Sequence, residues 1–166
     1  MANSDFYYGA YPAEYSNSLS GIFDMKMRNG NTTDFAHAVQ LGIWGFDLSS
    51  ERPINKKSGS SYLFNYRYSY SGLADKISGS DEGLNYQDLA FKINLPTKKL
   101  GTFTFWGIGL LDKIIQRPED DPKQWETSME RQEQKADFQK GAIGMAHTLS
   151  WNDNTYLRSN IGITFS

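Results

Sequence analysis

Residues 61–72, SYLFNYRYSYSG, contain the pattern that decides the fold class of this chain. Aromatic side chains occupy every second position from Tyr62 to Tyr70, and polar residues such as Asn65 and Arg67 lie between them. Successive side chains of a β-strand point to opposite faces, so this alternation predicts a strand with one aromatic and one polar face.

Six further segments after residue 34 alternate in the same way. They cover residues 35–44, 46–54, 84–95, 102–115, 136–151 and 155–166. Short turns are expected at 55–59, 96–101 and 152–154, and Gly45 permits a tight first reversal. Longer, charged connections are expected near 73–83 and 115–135, and the second is the one place for a helical turn. The sequence therefore predicts an all-β antiparallel meander of seven strands.

Composition narrows the possible functions of the 166 residues. The net charge of −2 gives no electrostatic case for nucleic acid as a partner, and the absence of cysteine excludes thiolate metal sites. His37 and His147 are isolated histidines on apolar faces, so neither a metal nor another cofactor is expected. No nucleophile elbow or phosphate-binding glycine loop is present, so no enzymatic activity is expected.

The residues on the two faces favour a membrane protein. No run of about 18 apolar residues exists, but a transmembrane strand needs only about ten alternating residues. The apolar faces are uniformly large, whereas the opposite faces carry small residues against which something is expected to pack. Trp44, Tyr70, Trp151 and Tyr156 lie near strand ends, as in interfacial aromatic girdles. We therefore expect Tyr62, Phe64, Tyr66, Tyr68 and Tyr70 to face lipid and Arg67 to point into the concave, lumenal side.

An odd number of strands creates a difficulty for this interpretation. A sheet in a bilayer must close, since open edges leave unpaired backbone groups in hydrocarbon, and bacterial barrels have even strand counts. The chain also begins without a signal peptide. We therefore expect it to be a fragment of a longer barrel.

The residues also carry a family resemblance that covers essentially the whole chain. AEYSNSLSGIFDMKMRNGN resembles the end of the plug domain of TonB-dependent outer-membrane receptors. LGIWGFDLSSERPI is similar to the first barrel hairpin of that family, SSYLFNYRYSYSG to the next strand, and GLNYQDLAFKINL with TFTFWGIGLLDK to the following hairpin. The resemblance is strongest to the branch with a carboxypeptidase-regulatory-like domain before the plug.

Residues 20–28 alternate as well and predict a strand that ends at the turn Asn29-Gly30-Asn31. The resemblance implies a division into residues 1–34, the C-terminal end of a plug domain, and residues 35–166, the first seven strands of a transmembrane β-barrel. It implies active uptake of a siderophore, cobalamin, oligosaccharide or peptide at the bacterial outer membrane. The implied partners are outer-membrane lipid and the remainder of the barrel and plug. The TonB complex would bind only through an N-terminal segment that this sequence lacks.

The candidate site residues are those expected between plug and barrel. Asp24, Lys26 and Arg28 are expected to form ion pairs between the plug strand and the barrel wall. The residues expected to face the lumen are Asn65, Arg67, Lys92 and Arg158. For the three cations among them we favour ordinary salt bridges, with Asp24, Asp47 or Asp88 as partners, over ligand binding.

Two other functions remain open at the level of sequence. A small closed outer-membrane barrel, porin-like or structural, would need an eighth strand, which residues 20–28 could supply. A soluble β-barrel that carries a lipophilic ligand would need the aromatic face to point inward.

Overall fold

In the computed structural model the described residues are 4–9, 15, 20–70, 83–116, 118, 132 and 134–166. The strands in this part of the chain are β1 (Asp5–Tyr8), β2 (Gly21–Asp24), β3 (Ala36–Gly42), β4 (Gly45–Asn55), β5 (Ser60–Tyr70), β6 (Gly83–Pro96), β7 (Thr102–Gln116), β8 (Gln134–Asn152) and β9 (Thr155–Phe165).

Strands β3 to β9 form one antiparallel sheet in sequence order, which confirms the predicted seven-stranded meander. Within the described residues the sheet is open, because β3 pairs only with β4 and β9 only with β8. Strands β4, β5 and β9 have 11 residues each, about the length that crosses a bilayer at a tilt. Strands β6, β7 and β8 are longer, with 14, 15 and 19 residues.

The expected strand at 20–28 is shorter than the sequence indicated. It ends at Asp24, because its partner β1 begins at Asp5, which is paired with Asp24. β1 itself was missed, since four residues are too few to show a convincing alternation. Together β1 and β2 form a separate two-stranded ribbon, so residues 20–28 do not supply an eighth strand to the main sheet. The expected helical turn within 115–135 lies almost entirely outside the described residues.

The connections divide the sheet into two ends. Residues 56–59, 97–101 and 153–154 make short turns at one end, which we call the short-turn end. The connections 71–82 and 117–133 join strands at the opposite, long-loop end, together with the tight β3–β4 turn. That tight turn requires Gly45, which has a φ of 136° and lies so close to the Tyr68 carbonyl that a Cβ would overlap it.

The register separates the side chains into the two predicted faces. For example, His37, Ser50, Phe64 and Phe91 lie side by side on β3 to β6. We call this face the apolar face; its large residues include Val39, Leu41, Phe46, Leu48, Tyr62, Phe64, Tyr66, Tyr68, Leu89, Phe91, Ile93, Phe105, Ile143, Met145, Ile161 and Ile163. The polar face, on the other side, includes Ala36, Ala38, Asp47, Glu51, Asn65, Arg67, Asp88, Ala90, Lys92, Gly144, Ala146, Arg158 and Gly162.

Burial in the described residues is the reverse of that in a water-soluble domain. Among them, the largest side chain that is less than 2% exposed is Ser61, and Ser60 and Asn94 are also buried. Large apolar side chains are exposed instead, among them Leu41 at 82% and Ile161 at 66%. Soluble proteins bury residues of this type most often.

Candidate functional site: the strap on the polar face

Residues 25–31, which we call the strap, leave the β1–β2 ribbon and cross the polar face of the main sheet. The guanidinium of Arg28 donates two hydrogen bonds to the carboxylate of Glu51 on β4, one from Nη1 to Oε2 and one from Nη2 to Oε1 at 2.9 Å. The backbone N–H of Asn31 donates to the same Glu51 Oε2 at 3.0 Å. One carboxylate therefore holds two points of the strap.

Lys92 holds the strap from the other side. Its Nζ donates to the backbone carbonyl of Met27 at 2.7 Å. Glu51 and Lys92 are the register partners of Leu63 on the two neighbouring strands, so the three side chains form a row across β4, β5 and β6. Glu51 on β4 accepts hydrogen bonds from the strap and Lys92 on β6 donates one to it, so the two side chains hold the strap above β5.

Between these two anchors the strap touches the sheet backbone directly. Gly30 is buried, and a Cβ at this position would overlap the carbonyl of Tyr62 on β5. The buried residues Pro53, Ser61 and Asn94 are register partners in the adjacent row of the same face. The polar face is therefore packed most tightly where the strap crosses it.

The small residues of β8 and β9 on this face accommodate another large group. A Cβ at Gly144 would collide with the indole of Trp106 on β7, and a Cβ at Gly162 would lie 3.9 Å from the same ring. The predicted close packing against the small-residue face thus has two sources in the described residues, the strap over β4–β6 and Trp106 over β8 and β9.

A second polar cluster lies on the polar face toward the long-loop end from the strap. Arg67 Nε donates to Asp88 Oδ2 at 2.6 Å, and its guanidinium lies 5.3 Å from the ring centroid of Tyr86. Asn65 Nδ2 donates to Asp47 at 3.1 Å. Asp47, Arg67 and Asp88 are direct register partners, so one cation stands between two carboxylates. This is the ordinary cross-strand pairing that the sequence favoured for Arg67.

The other candidate residues divide by location. Arg28 meets the sheet as expected, whereas Lys26 pairs within the ribbon, with Asp5 at 2.7 Å and Asp24 at 3.2 Å. These hydrogen bonds, to Asp5 and then to Asp24, raise the pKa of Lys26, and the bond to Glu51 raises the pKa of Arg28. Asp24 and Lys26 therefore pair with each other and with β1, and Arg28 is the first strap residue whose side chain pairs with the main sheet in the described part of the chain. Arg158 lies on β9, with its guanidinium 5.9 Å from the ring centroid of Tyr156.

Sequence reasoning missed the residues that receive the strap. Glu51 lies on the polar face of its strand, and its separation of 23 positions from Arg28 gives no local signal. Asn29-Gly30-Asn31 is typical of a turn in sequence, and nothing in it indicates that Gly30 lies against the Tyr62 carbonyl of β5. The sequence signal that does apply is the small-residue face itself, which predicts a close neighbour but not its identity.

Within the described residues, no helix is long and apolar enough to cross a membrane. The same residues contain no group of three or more His, Cys, Asp or Glu side chains arranged to hold a metal ion. What the geometry defines is an antiparallel β-sheet with a chain segment bound across its polar face. No protein-family model, curated protein or solved structure matches the chain at a significant level.

Proposed function

We propose that the chain is part of a TonB-dependent outer-membrane receptor, in which β3 to β9 are barrel strands and residues 1–34 are the end of the plug. The proposed role is active uptake of a scarce ligand, a siderophore, cobalamin, oligosaccharide or peptide. The family assignment comes from the resemblance of the sequence segments. The reversed burial of the sheet is the structural observation that supports it most strongly.

The reversed burial suits a sheet with lipid on one side. A membrane barrel turns its apolar side chains outward and its polar ones toward the lumen. Here the apolar face is exposed, and the polar face carries the strap through Arg28, Gly30 and the carbonyl of Met27. A plug segment held against the inner wall of a barrel would make contacts of this kind.

The position of the apolar residues along each strand gives independent support. On β4 the apolar-face residues Phe46 and Leu48 lie toward the long-loop end, and Ser50 and Arg52 lie toward the short-turn end. On β8 the order is reversed. Asp137 and Gln139 lie toward the long-loop end, and Ile143, Met145 and Leu149 lie toward the short-turn end. The apolar band therefore crosses the sheet obliquely.

A flat bilayer produces this oblique band on tilted strands. Between β4 and β8 the long-loop edge of the band moves by about four residues over four strands, because Phe46 is level with Gln139 and the first large apolar residue of this face on β8 is Ile143. With a rise of about 3.3 Å per residue and a strand spacing of about 4.8 Å, this shift corresponds to a tilt of about 35°. Transmembrane barrels have strand tilts of about 35–45°.

The alternative functions have less support. A small closed barrel would need an eighth strand, and β2 lies in the separate ribbon. A soluble carrier would need a layer over the apolar face, and the described residues place the strap on the opposite face. The open edges of β3 and β9 also require further strands in a membrane, because unpaired N–H and C=O groups are costly in hydrocarbon.

Cell fractionation of the protein produced from its full gene tests the proposal. We expect the protein in the outer-membrane fraction, extracted only by detergent, with a gel mobility that changes on heating as a closed barrel unfolds. The gene is expected to encode further alternating strands. A soluble, monomeric product with cooperative melting would contradict the proposal.

A further inference from the structure

Polar residues interrupt the apolar face near the short-turn end of β3, β4 and β5. His37 Nδ1 and Ser50 Oγ are 3.0 Å apart, and Ser50 Oγ is 3.0 Å from the hydroxyl of Tyr62. These three residues form a hydrogen-bonded chain across β3, β4 and β5. Arg52, the next apolar-face residue of β4, is the register partner of Tyr62. The cluster thus contains one cation, two hydroxyls and one imidazole.

Arg52 is exposed and has no carboxylate partner in the described part of the chain. Its guanidinium packs on the ring of Phe35, with Cζ 4.7 Å from the ring centroid. This contact leaves the N–H donors at the edge of the guanidinium available, and their planar fork matches the oxygens of a phosphate.

An apolar groove begins beside this cluster. It has a volume of about 510 Å³, and besides His37, Ser50 and Tyr62 its lining includes Leu48, Phe64 and Phe91. The groove and the polar cluster lie at the edge of the oblique apolar band, where β3 and β4 change from apolar to polar residues. In a membrane this level corresponds to the boundary between acyl chains and headgroups.

The charges of the connections distinguish the two ends of the sheet. The short turns carry Lys56, Lys57, Lys98 and Lys99 against the single acid Asp153. By sequence, the connections 71–82 and 117–133 together contain four basic and nine acidic residues. Positive charge at the short-turn end favours anionic headgroups at that side of a bilayer.

We propose that Arg52, His37, Ser50 and Tyr62, with the adjoining groove, form a binding site for one anionic phospholipid. The phosphate lies against the Arg52 guanidinium, the Tyr62 and Ser50 hydroxyls bond to headgroup or ester oxygens, and an acyl chain lies along Leu48, Phe64 and Phe91. The site deepens the function proposed above and rests on it, because it requires the apolar face to meet lipid.

A hydrolytic role for the Ser50–His37 pair fits the geometry less well. Ser50 lies within β4, between two paired strands, so the surrounding backbone N–H groups belong to the sheet ladder. Acyl transfer needs free N–H donors at the developing oxyanion. The hydroxyl of Ser50 is also shared with Tyr62. Binding without chemistry is the role that these contacts support.

Native mass spectrometry of the protein produced from its full gene tests the site. The protein is purified in a neutral detergent and titrated with phosphatidylglycerol and with phosphatidylcholine of the same acyl chains. We expect the first phosphatidylglycerol to bind at least fivefold more tightly than phosphatidylcholine. Arg52→Gln should remove this preference, and Arg52→Lys, which keeps the cation, should retain most of it.

Lys113→Gln is the matched control, since Lys113 is an exposed cation on the same face at the long-loop end. It should keep the preference for phosphatidylglycerol. Equal binding of the two lipids by the unchanged protein, or an equal loss in Lys113→Gln and Arg52→Gln, overturns the site and leaves the membrane proposal standing. Recovery of the protein from the soluble fraction overturns both.

Discussion

Gly30 joins the strap to the sheet through backbone contact alone. Its Cα lies where a side chain would overlap the Tyr62 carbonyl, and the ion pair of Arg28 with Glu51 lies two residues away along the chain. The exposed ion pair contributes at most about 1 kcal/mol, because solvent screens it. Close packing at Gly30 therefore adds to the polar anchors from Glu51 and Lys92 in holding the strap against the sheet.

Replacement of Gly30 by alanine is expected to displace the strap. Overpacking of this kind costs about 1–3 kcal/mol, and the displaced strap should expose Arg28 to trypsin. Urea unfolding in lipid vesicles and the rate of cleavage after Arg28 measure the two effects. Gly109→Ala is the control, because a Cβ there meets no atom within 4 Å. Equal stability and equal cleavage of the two variants would show that the strap is not seated through Gly30.

At the level of the strand, the proposed membrane location makes the depth of a residue depend on its strand as well as on its position along that strand. Phe46 on β4 and Gln139 on β8 lie in one lateral row, connected through Tyr68, Gln87 and Leu111. The oblique band nevertheless places Phe46 beside the rings of Tyr66 and Tyr68, whereas the nearest residues of the same face along β8 from Gln139 are Asp137 and Gly141. In a soluble sheet with one covering layer, both ends of this row would be covered alike. A charged substitution would then have a similar cost at Phe46 and at Gln139.

Arginine at these two positions tests the tilt. Phe46→Arg should cost about 2–4 kcal/mol of folding free energy in lipid, and Gln139→Arg about 0–1 kcal/mol. Phe46→Ala measures the part that comes from lost packing on Tyr66 and Tyr68, whose ring centroids lie 5.9 and 5.7 Å from that of Phe46. Urea titration in vesicles gives the three values. If Phe46→Arg costs no more than Phe46→Ala, Phe46 does not face hydrocarbon.

At the scale of the whole molecule, the sheet has two edges that the described residues leave unpaired, those of β3 and β9. Outward-pointing backbone groups at both edges invite pairing with another strand, and an exposed apolar edge promotes aggregation. A membrane barrel removes both edges by closure.

Hydrogen exchange of the protein produced from its full gene tests whether these edges are paired. In the membrane we expect strong protection of every amide in 36–42 and 155–165, including those that point away from β4 and β8. The middle of β6, paired on both sides, serves as the internal reference. Rapid exchange at alternate positions of β3 and β9 would mean that the edges stay open and that no barrel forms.

The accuracy of the sequence prediction differed between the sheet and the site. Turn signals such as Gly45 and Asn152 placed the strand boundaries within about two residues, because strands and tight turns depend on neighbours in sequence. Asp88, one of the three carboxylates suggested as partners for the lumenal cations, does pair with Arg67, whereas Lys92 bonds to a backbone carbonyl instead. The contacts of Arg28 with Glu51 and of Lys92 with Met27 were beyond such reasoning, because they join segments 23 and 65 positions apart.

The aromatic row from Tyr62 to Tyr70 and its polar counterpart follow from a period of two, which is a local property of an extended chain. The sequence alone therefore predicts the seven strands of the main sheet, their order and the composition of their two faces. Three other features could not be predicted in this way. They are the side of the sheet that receives the strap, the burial of Ser61 in place of a large apolar residue, and the oblique course of the apolar band. Each depends on which residues become lateral neighbours and on the space between them, and both arise only when the strands are assembled in register.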